Sequence, residues 1–233
     1  FTTMLDFSEP GELGIFLDEG AVEGLEKKMA EKGFLEGSEM AGTFNMLRAN
    51  DLIWSFVVNN YLLGKEPFPF DLLYWNGDGT NLPAKMAVQY LRGLCQGDGF
   101  AKGEFQVFGH PVSLADIKLP VCAVACETDH IAHWRGSFNG IKQMGSKDKT
   151  FFLSQSGHIA GIINPPSKDK YGHYTNTAPV AGEPEAWLAA ASFNKGSWWP
   201  RWGAWLAKQS GPMIQARKPA DSLAPAPGTY VTA

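Results

Sequence analysis

The chain has 233 residues, 44% hydrophobic, 19% charged and 12% aromatic, enough for one large domain or two small ones around a real core and incompatible with disorder or a collagen-like repeat. Twenty basic residues against 24 acidic ones give a net charge of −4, which leaves little electrostatic grip on nucleic-acid phosphate or an anionic membrane and removes nucleic acid as the leading partner. The longest strongly apolar run, residues 119–126, falls far short of the roughly 20 residues that span a bilayer, and three cysteines argue against a disulfide framework and for a reducing, cytosolic compartment.

The first residue is Phe1, and residues 1–5 read as an apolar, β-rich segment with no basic stretch of a secretory leader before Met4, so the chain is expected to begin in mid-domain. Residues 8–32 are acidic with spaced apolar positions (Leu13, Phe16, Leu17, Val22, Leu25, Met29), which predicts short helices broken at Gly20 and Gly33 on a partly exposed appendage. Residues 50–64, NDLIWSFVVNNYLLG, open on an N-cap candidate and end on a C-cap glycine; a helix this apolar on nearly all faces demands burial. Residues 67–83 predict an ordered, turn-rich loop, and residues 85–94 again carry helical spacing.

Near His110 the pattern changes to that of an α/β domain. SLADIKLPVCAVACETDH predicts a helical turn, a proline at a strand entry and a buried strand. A helix over 134–144, a charged turn and a second strand over 150–153 complete a strand–helix–strand unit. Residues 183–209 read as a tryptophan-rich helical region, and the alanine- and proline-rich tail from Arg217 as extended.

Asp129 stands where the first buried strand runs out into a loop, the end of an open α/β sheet at which reactive groups gather. Its plain alternative is to cap the helix that follows. His158 lies in FFLSQSGHIAG, just past the next strand, in a loop that Gly157 and Gly161 allow to bend. A strand-end acid followed one unit later by a loop histidine is the second half of a triad in the order nucleophile, acid, histidine. The carboxylate holds one imidazole nitrogen so that the other accepts the nucleophile's proton. The plain alternative for His158 is a backbone-bonded loop histidine. His130 and His133 lack the convergent donors of a metal site, and His110 and His173 read as surface histidines.

The nucleophile is harder to find. Gly93-Leu94-Cys95-Gln96-Gly97 matches an elbow formally, yet it continues a helical pattern instead of leaving a strand, so Cys95 is read as a decoy. Cys122 and Cys126 share a face of one strand about 13 Å apart, too far to bridge, and read as core residues. The nucleophile is therefore expected upstream of Phe1. Trp198, Trp202 and Trp205 have helical spacing, which predicts core packing, with an aromatic stripe for a greasy ligand or polymer as the sharper alternative.

The motifs FTTMLDF, NDLIWSFVVNNYLLG, FDLLYWNGDGTNLP, ETDHIAHW, SGHIAGIINPPSKDK and GSWWPRWGAWL, running along nearly the whole chain, resemble the C-terminal catalytic region of a polyhydroxyalkanoate synthase, most closely the class I enzymes that polymerise short-chain 3-hydroxyacyl-CoA thioesters. The resemblance implies the α/β class and a partial α/β-hydrolase fold with an inserted, mostly helical cap. Its parts would be a core strand at 1–7, the cap at 8–110, the C-terminal part of the core at 111–215 and the extended tail at 216–233. It implies a Cys-Asp-His triad in which Asp129 and His158 match the acid and the histidine, the cysteine precedes FTTMLDF, and Cys95 falls in the cap at no catalytic position. On this resemblance the chain alone is inactive. The implied partners are (R)-3-hydroxyacyl-CoA, the growing polyester, a second subunit in a homodimer and the polyester granule surface in the cytoplasm, with coenzyme A as part of the substrate and no separate cofactor. Trp54, Phe56, Tyr61, Tyr74 and Trp75 of the cap would exclude water. Two other readings stay open: an esterase or thioesterase that passes the acyl group to water, and a non-catalytic partner that binds a synthase or the granule.

Overall fold

The computed structural model describes residues 1–67, 69, 77–218 and 229, a mixed α/β arrangement with small sheets. In the first half a 3₁₀ helix (Gly11–Leu17) leads into α1 (Glu19–Lys32). The Asp18 carboxylate caps α1 by accepting the Ala21 N–H at 2.9 Å, so the helix start is fixed there and Gly20 lies within the first turn instead of breaking it as its residue type predicts. Gly33 does end α1, with φ of 84°. β1 (Phe34–Leu35) pairs antiparallel with β2 (Leu82–Pro83); α2 (Gly37–Leu47) lies between them in sequence and α3 (Ala84–Val88) follows. Met29, Leu35 and Ala87 form the small core of this half. Arg92, on the π-helical stretch Gln89–Gln96, braces it by donating to Glu26 at 2.8 Å and to Glu19 at 2.6 Å. After α4 (Gly99–Lys102), the hairpin of β3 (Gln106–Val107) and β4 (His110–Pro111) lies where the pattern change was read.

The helix expected over 50–64 departs from expectation in two ways. It follows α2 and runs in π-helical turns, Asn50–Trp54 and Val57–Leu62, in which Ser55 Oγ and Asn59 Nδ2 donate back to the carbonyls of Asp51 and Ser55 and compete with regular helical bonding. It is also not buried: Trp54, Phe56 and Tyr61 are each more than half exposed, and the segment's main packing among the described residues is on α2 and on its own turns. Tyr74 and Trp75 lie outside the described residues, as does the tail beyond Lys218 apart from residue 229.

In the second half, β5 (Val121–Cys126), α5 (Trp134–Gln143) and β6 (Lys149–Ser154) form the strand–helix–strand unit, with the two strands parallel and Cys126 opposite Ser154. β5 starts only after Pro120, and Leu119, read as part of the buried run, is 76% exposed. Two short antiparallel strands extend the sheet to the order β5-β6-β7-β8: β7 (His173–Thr175) and β8 (Ser192–Asn194). β8 divides the region expected to be helical into α6 (Pro184–Ala189) and α7 (Trp199–Gln209). α5 covers the sheet through Phe138, whose ring meets Phe151 at 5.3 Å and Trp187 at 5.7 Å.

Residues 1–7, read as a core strand, form no ladder. Thr2 takes φ of 45°, outside extended geometry, and the segment makes one backbone bond to β5, from the Thr2 N–H to the Val124 carbonyl at 2.8 Å. Side chains hold it instead: Ser137 Oγ donates to the Thr3 carbonyl at 2.9 Å and Gln143 Nε2 to Asp6 at 2.6 Å. Gly136 and Gly140, one turn apart on α5, let it lie this close. A Cβ at Gly140 would stand 2.5 Å from Leu5 Cβ. No helix among the described residues is long and apolar enough to cross a membrane.

This contact yields a stability prediction. Gly140→Val should destabilise the full-length protein by about 1–3 kcal/mol in urea denaturation. Gly24→Ala, on α1 with open space around it, should be neutral or slightly stabilising. An unchanged midpoint for Gly140→Val would contradict the packing.

Candidate active site

Beyond their parallel ends, β5 and β6 run on side by side into the loops that carry the two candidate residues. The Glu127 N–H donates to the Ser154 carbonyl at 2.8 Å and the Thr128 N–H to the Ser156 carbonyl at 3.1 Å. Asp129, next in the chain, has a side chain with no solvent exposure, and a carboxylate so placed needs donors on both oxygens. Oδ1 accepts from the backbone N–H groups of Ile131 and Ala132, both at 2.9 Å. Oδ2 accepts from His158 Nδ1 at 2.8 Å. The two readings of Asp129 are thus divided between its oxygens: one caps the turn before α5, the other holds the histidine.

A carboxylate oxygen only accepts, so Nδ1 carries the proton and Nε2 of His158 is the nitrogen left to accept one. The hydrogen bond from Asp129 lifts the His158 pKa above its ordinary 6.5, and partial burial opposes the rise. Neighbouring His130 and His133 move the other way, pushed down chiefly by burial. Because the folded-state pKa of His158 is raised, the bond's contribution to stability is fully present below about pH 6.5 and is lost as pH climbs through the folded value.

His158 lies on the wall of a largely apolar cavity of about 700 Å³, shared with Thr2, Met4, Phe16, Leu25, Tyr90 and Cys95 among others. Residues 8–32, read as a partly exposed appendage, also supply part of a cavity wall through Leu13, Phe16, Leu17 and Leu25. The signal was present in the spacing of Leu13, Phe16, Leu17 and Leu25, but a face turned toward a cavity and one turned toward a core have the same period. Trp54, Phe56 and Tyr61, expected to exclude water, sit instead on the exposed segment.

All three cysteines are poor thiolates. Cys95 is buried on the helical stretch Gln89–Gln96 and its thiol is pushed up to about 12 by burial, Cys126 likewise to about 12, and Cys122 to about 11. An activated nucleophile needs the opposite shift. His110 is exposed, but His173, also read as a surface histidine, is only 2% exposed. It belongs to β7, inside the sheet, where its ring meets Phe152 at 6.2 Å. No group of three His, Cys, Asp or Glu side chains forms a metal cage among the described residues. Trp198 is buried against Val124 and Phe152 with the partly buried Trp202 packed on it, as core packing predicts, whereas Trp205 is partly buried outside that cluster.

The chain is similar along its length to several curated proteins. The chain is 46% identical over 234 residues to the poly(3-hydroxyalkanoate) polymerase subunit PhaC of Rhizobium meliloti (strain 1021). It is 48% identical over 235 residues to a poly(3-hydroxyalkanoate) polymerase of Methylorubrum extorquens; each alignment covers 99% of this chain. The chain is homologous to the poly(3-hydroxyalkanoate) polymerases. It spans 38% of the length of each of these two relatives and 41% of PhaC of Cupriavidus necator, to which it is 44% identical. No family model matches it.

In this polymerase-like region, Asp129→Asn should lower the pH midpoint at which His158 titrates, followed by the imidazole C–H resonances in NMR. An unchanged midpoint would contradict the hydrogen bond as the cause of the raised pKa.

Proposed function

We propose that this chain is part of a class I polyhydroxyalkanoate synthase with an α/β-hydrolase fold, in which Asp129 and His158 are the acid and the base of a Cys-Asp-His triad. The observation that carries the reading is the 2.8 Å bond from His158 Nδ1 to the fully buried Asp129, which leaves Nε2 to work on an imidazole that also lines a large apolar cavity. Homology to polymerases along the whole chain supplies the reaction class. The nucleophile is a cysteine other than Cys95, Cys122 and Cys126, whose thiols burial holds in the protonated form; on our reading it precedes Phe1. Residues 8–110 act as the cap and residues 111–215 as the C-terminal part of the core. A homodimer at a cytoplasmic granule surface is the setting the family resemblance carries.

The chemistry follows from the relay. His158 Nε2 takes the thiol proton, the thiolate attacks the carbonyl of an (R)-3-hydroxyacyl-CoA, and the resulting imidazolium is stabilised by Asp129. The C–S bond to coenzyme A breaks, the leaving thiolate recovers the proton, and an acyl-cysteine remains. For chain growth the 3-hydroxyl of one acyl group loses its proton to the neutral imidazole as its oxygen attacks another acyl thioester, whose C–S bond breaks while the imidazolium returns the proton to the leaving thiolate. Water at this stage would give free acid, so an apolar cavity wall is part of the chemistry.

Supplying the full-length protein with 3-hydroxybutyryl-CoA tests this reading: insoluble polyester with release of coenzyme A supports it, whereas free acid alone favours the esterase or thioesterase alternative. Asp129→Asn and His158→Gln should each lower polymerisation by roughly 10²–10⁴-fold. Cys95→Ser should stay within about twofold, since Cys95 is read as cavity wall, and a folded but dead Cys95→Ser protein would overturn that assignment.

A further inference from the structure

The loop that carries His158 is a single helical turn: the Gly161 N–H donates to the Gly157 carbonyl at 2.9 Å and the Ile163 N–H to the Ile159 carbonyl at 2.8 Å. At its end the Gly161 carbonyl takes no N–H from the turn itself, and the Ile162 carbonyl takes only the Asn164 N–H, at 2.9 Å. Both are met from the far end of the chain. Trp198 Nε1 donates to the Gly161 carbonyl and Trp199 Nε1 to the Ile162 carbonyl, each at 2.9 Å. Ser154 Oγ adds a second bond to Gly161 O at 2.8 Å. The same turn is pressed against the end of β5, where a Cβ on Gly161 would stand 2.5 Å from Cys126 Sγ, three residues before Asp129. Trp198 is itself anchored. Its ring lies in the cluster with Val124 and Phe152, and the backbone before it is tied by a bond from His173 Nδ1 to the Gly196 carbonyl at 2.9 Å.

We propose that Trp198 and Trp199 are positioning residues of the active site, whose paired indole N–H groups cap the His158 turn and fix the imidazole on Asp129. This gives the buried histidine of β7 and the tryptophan motif one purpose beyond packing. A two-donor cap holds the turn against rotation as well as translation, and errors of about 1 Å in a reacting group's place cost on the order of 100-fold in rate.

The inference rests on His158 being the working base, and the test separates the two. In the full-length protein, Trp198→Phe and Trp199→Phe keep an aromatic ring and remove one donor each. Each should lower kcat for coenzyme A release by roughly 10- to 100-fold with KM within about twofold. The acid limb of the pH–rate profile should also move down toward 6.5 as the Asp129 bond loosens. Trp205→Phe is the control: it lies on α7, and its buried Nε1 has no hydrogen-bond partner among the described residues, so it should leave kcat and the profile in place. Trp199 is only partly buried, so its variant remains informative if Trp198→Phe does not fold. Unchanged kcat and pH profile in Trp199→Phe, or equal losses in Trp205→Phe, would overturn the proposal while leaving the Asp129–His158 reading intact. Full activity in His158→Gln would remove that reading itself.

Discussion

One hydrogen bond, from His158 Nδ1 to Asp129 Oδ2, organises this molecule, and it exists because β5 and β6 are parallel neighbours that end in register. Parallel pairing sends both strand exits to the same edge of the sheet. The crossover helix α5 occupies the face behind them, so the acid and the histidine can come from loops 29 residues apart and still meet at 2.8 Å. Burying a carboxylate completely is costly, and the structure offsets that cost with two backbone donors on one oxygen and the imidazole on the other. A carboxylate fixed in this way has little freedom to turn, and that rigidity selects which imidazole nitrogen faces the work.

The surroundings extend the same logic. The cavity beside His158 is walled mainly by apolar side chains, and burial keeps Cys95 protonated on that wall. Environment raises both groups by different means: His158 gains proton affinity from a specific partner, while the thiol is raised by desolvation alone. The polymerases to which the chain is homologous extend well beyond its span.

Much of the site could be read from the residue order, because it depends on local patterns. The apolar run ending in ETDH, the glycine-flanked His158 and the helix between them carry their own periodicities, and the structure puts the two residues in contact. What escaped was set by tertiary context. HYT and SFN are strands of three residues, too short for alternation to show, so β7 and β8 were missed and His173 was placed on the surface. Gly20 looks like a break until Asp18 is seen to cap the helix before it. The helix of residues 50–64 has the composition of a core element yet stands exposed, since composition fixes an appetite for burial and says nothing of which surface satisfies it. Residues 1–7 have strand-like composition, but the positive φ of Thr2 and the glycine face of α5 decide their path.

The account's central claim is that this imidazole activates a sulfur outside the three described cysteines. Brief exposure of the full-length protein to a 3-hydroxyacyl-CoA, followed by acid quench and peptide mass spectrometry, reads this directly. The account predicts the acyl group on a cysteine outside residues 1–233, formed rapidly with His158 present and at least about 100-fold more slowly in His158→Gln. An acyl group on Cys95, or labelling at the parental rate without His158, would contradict it.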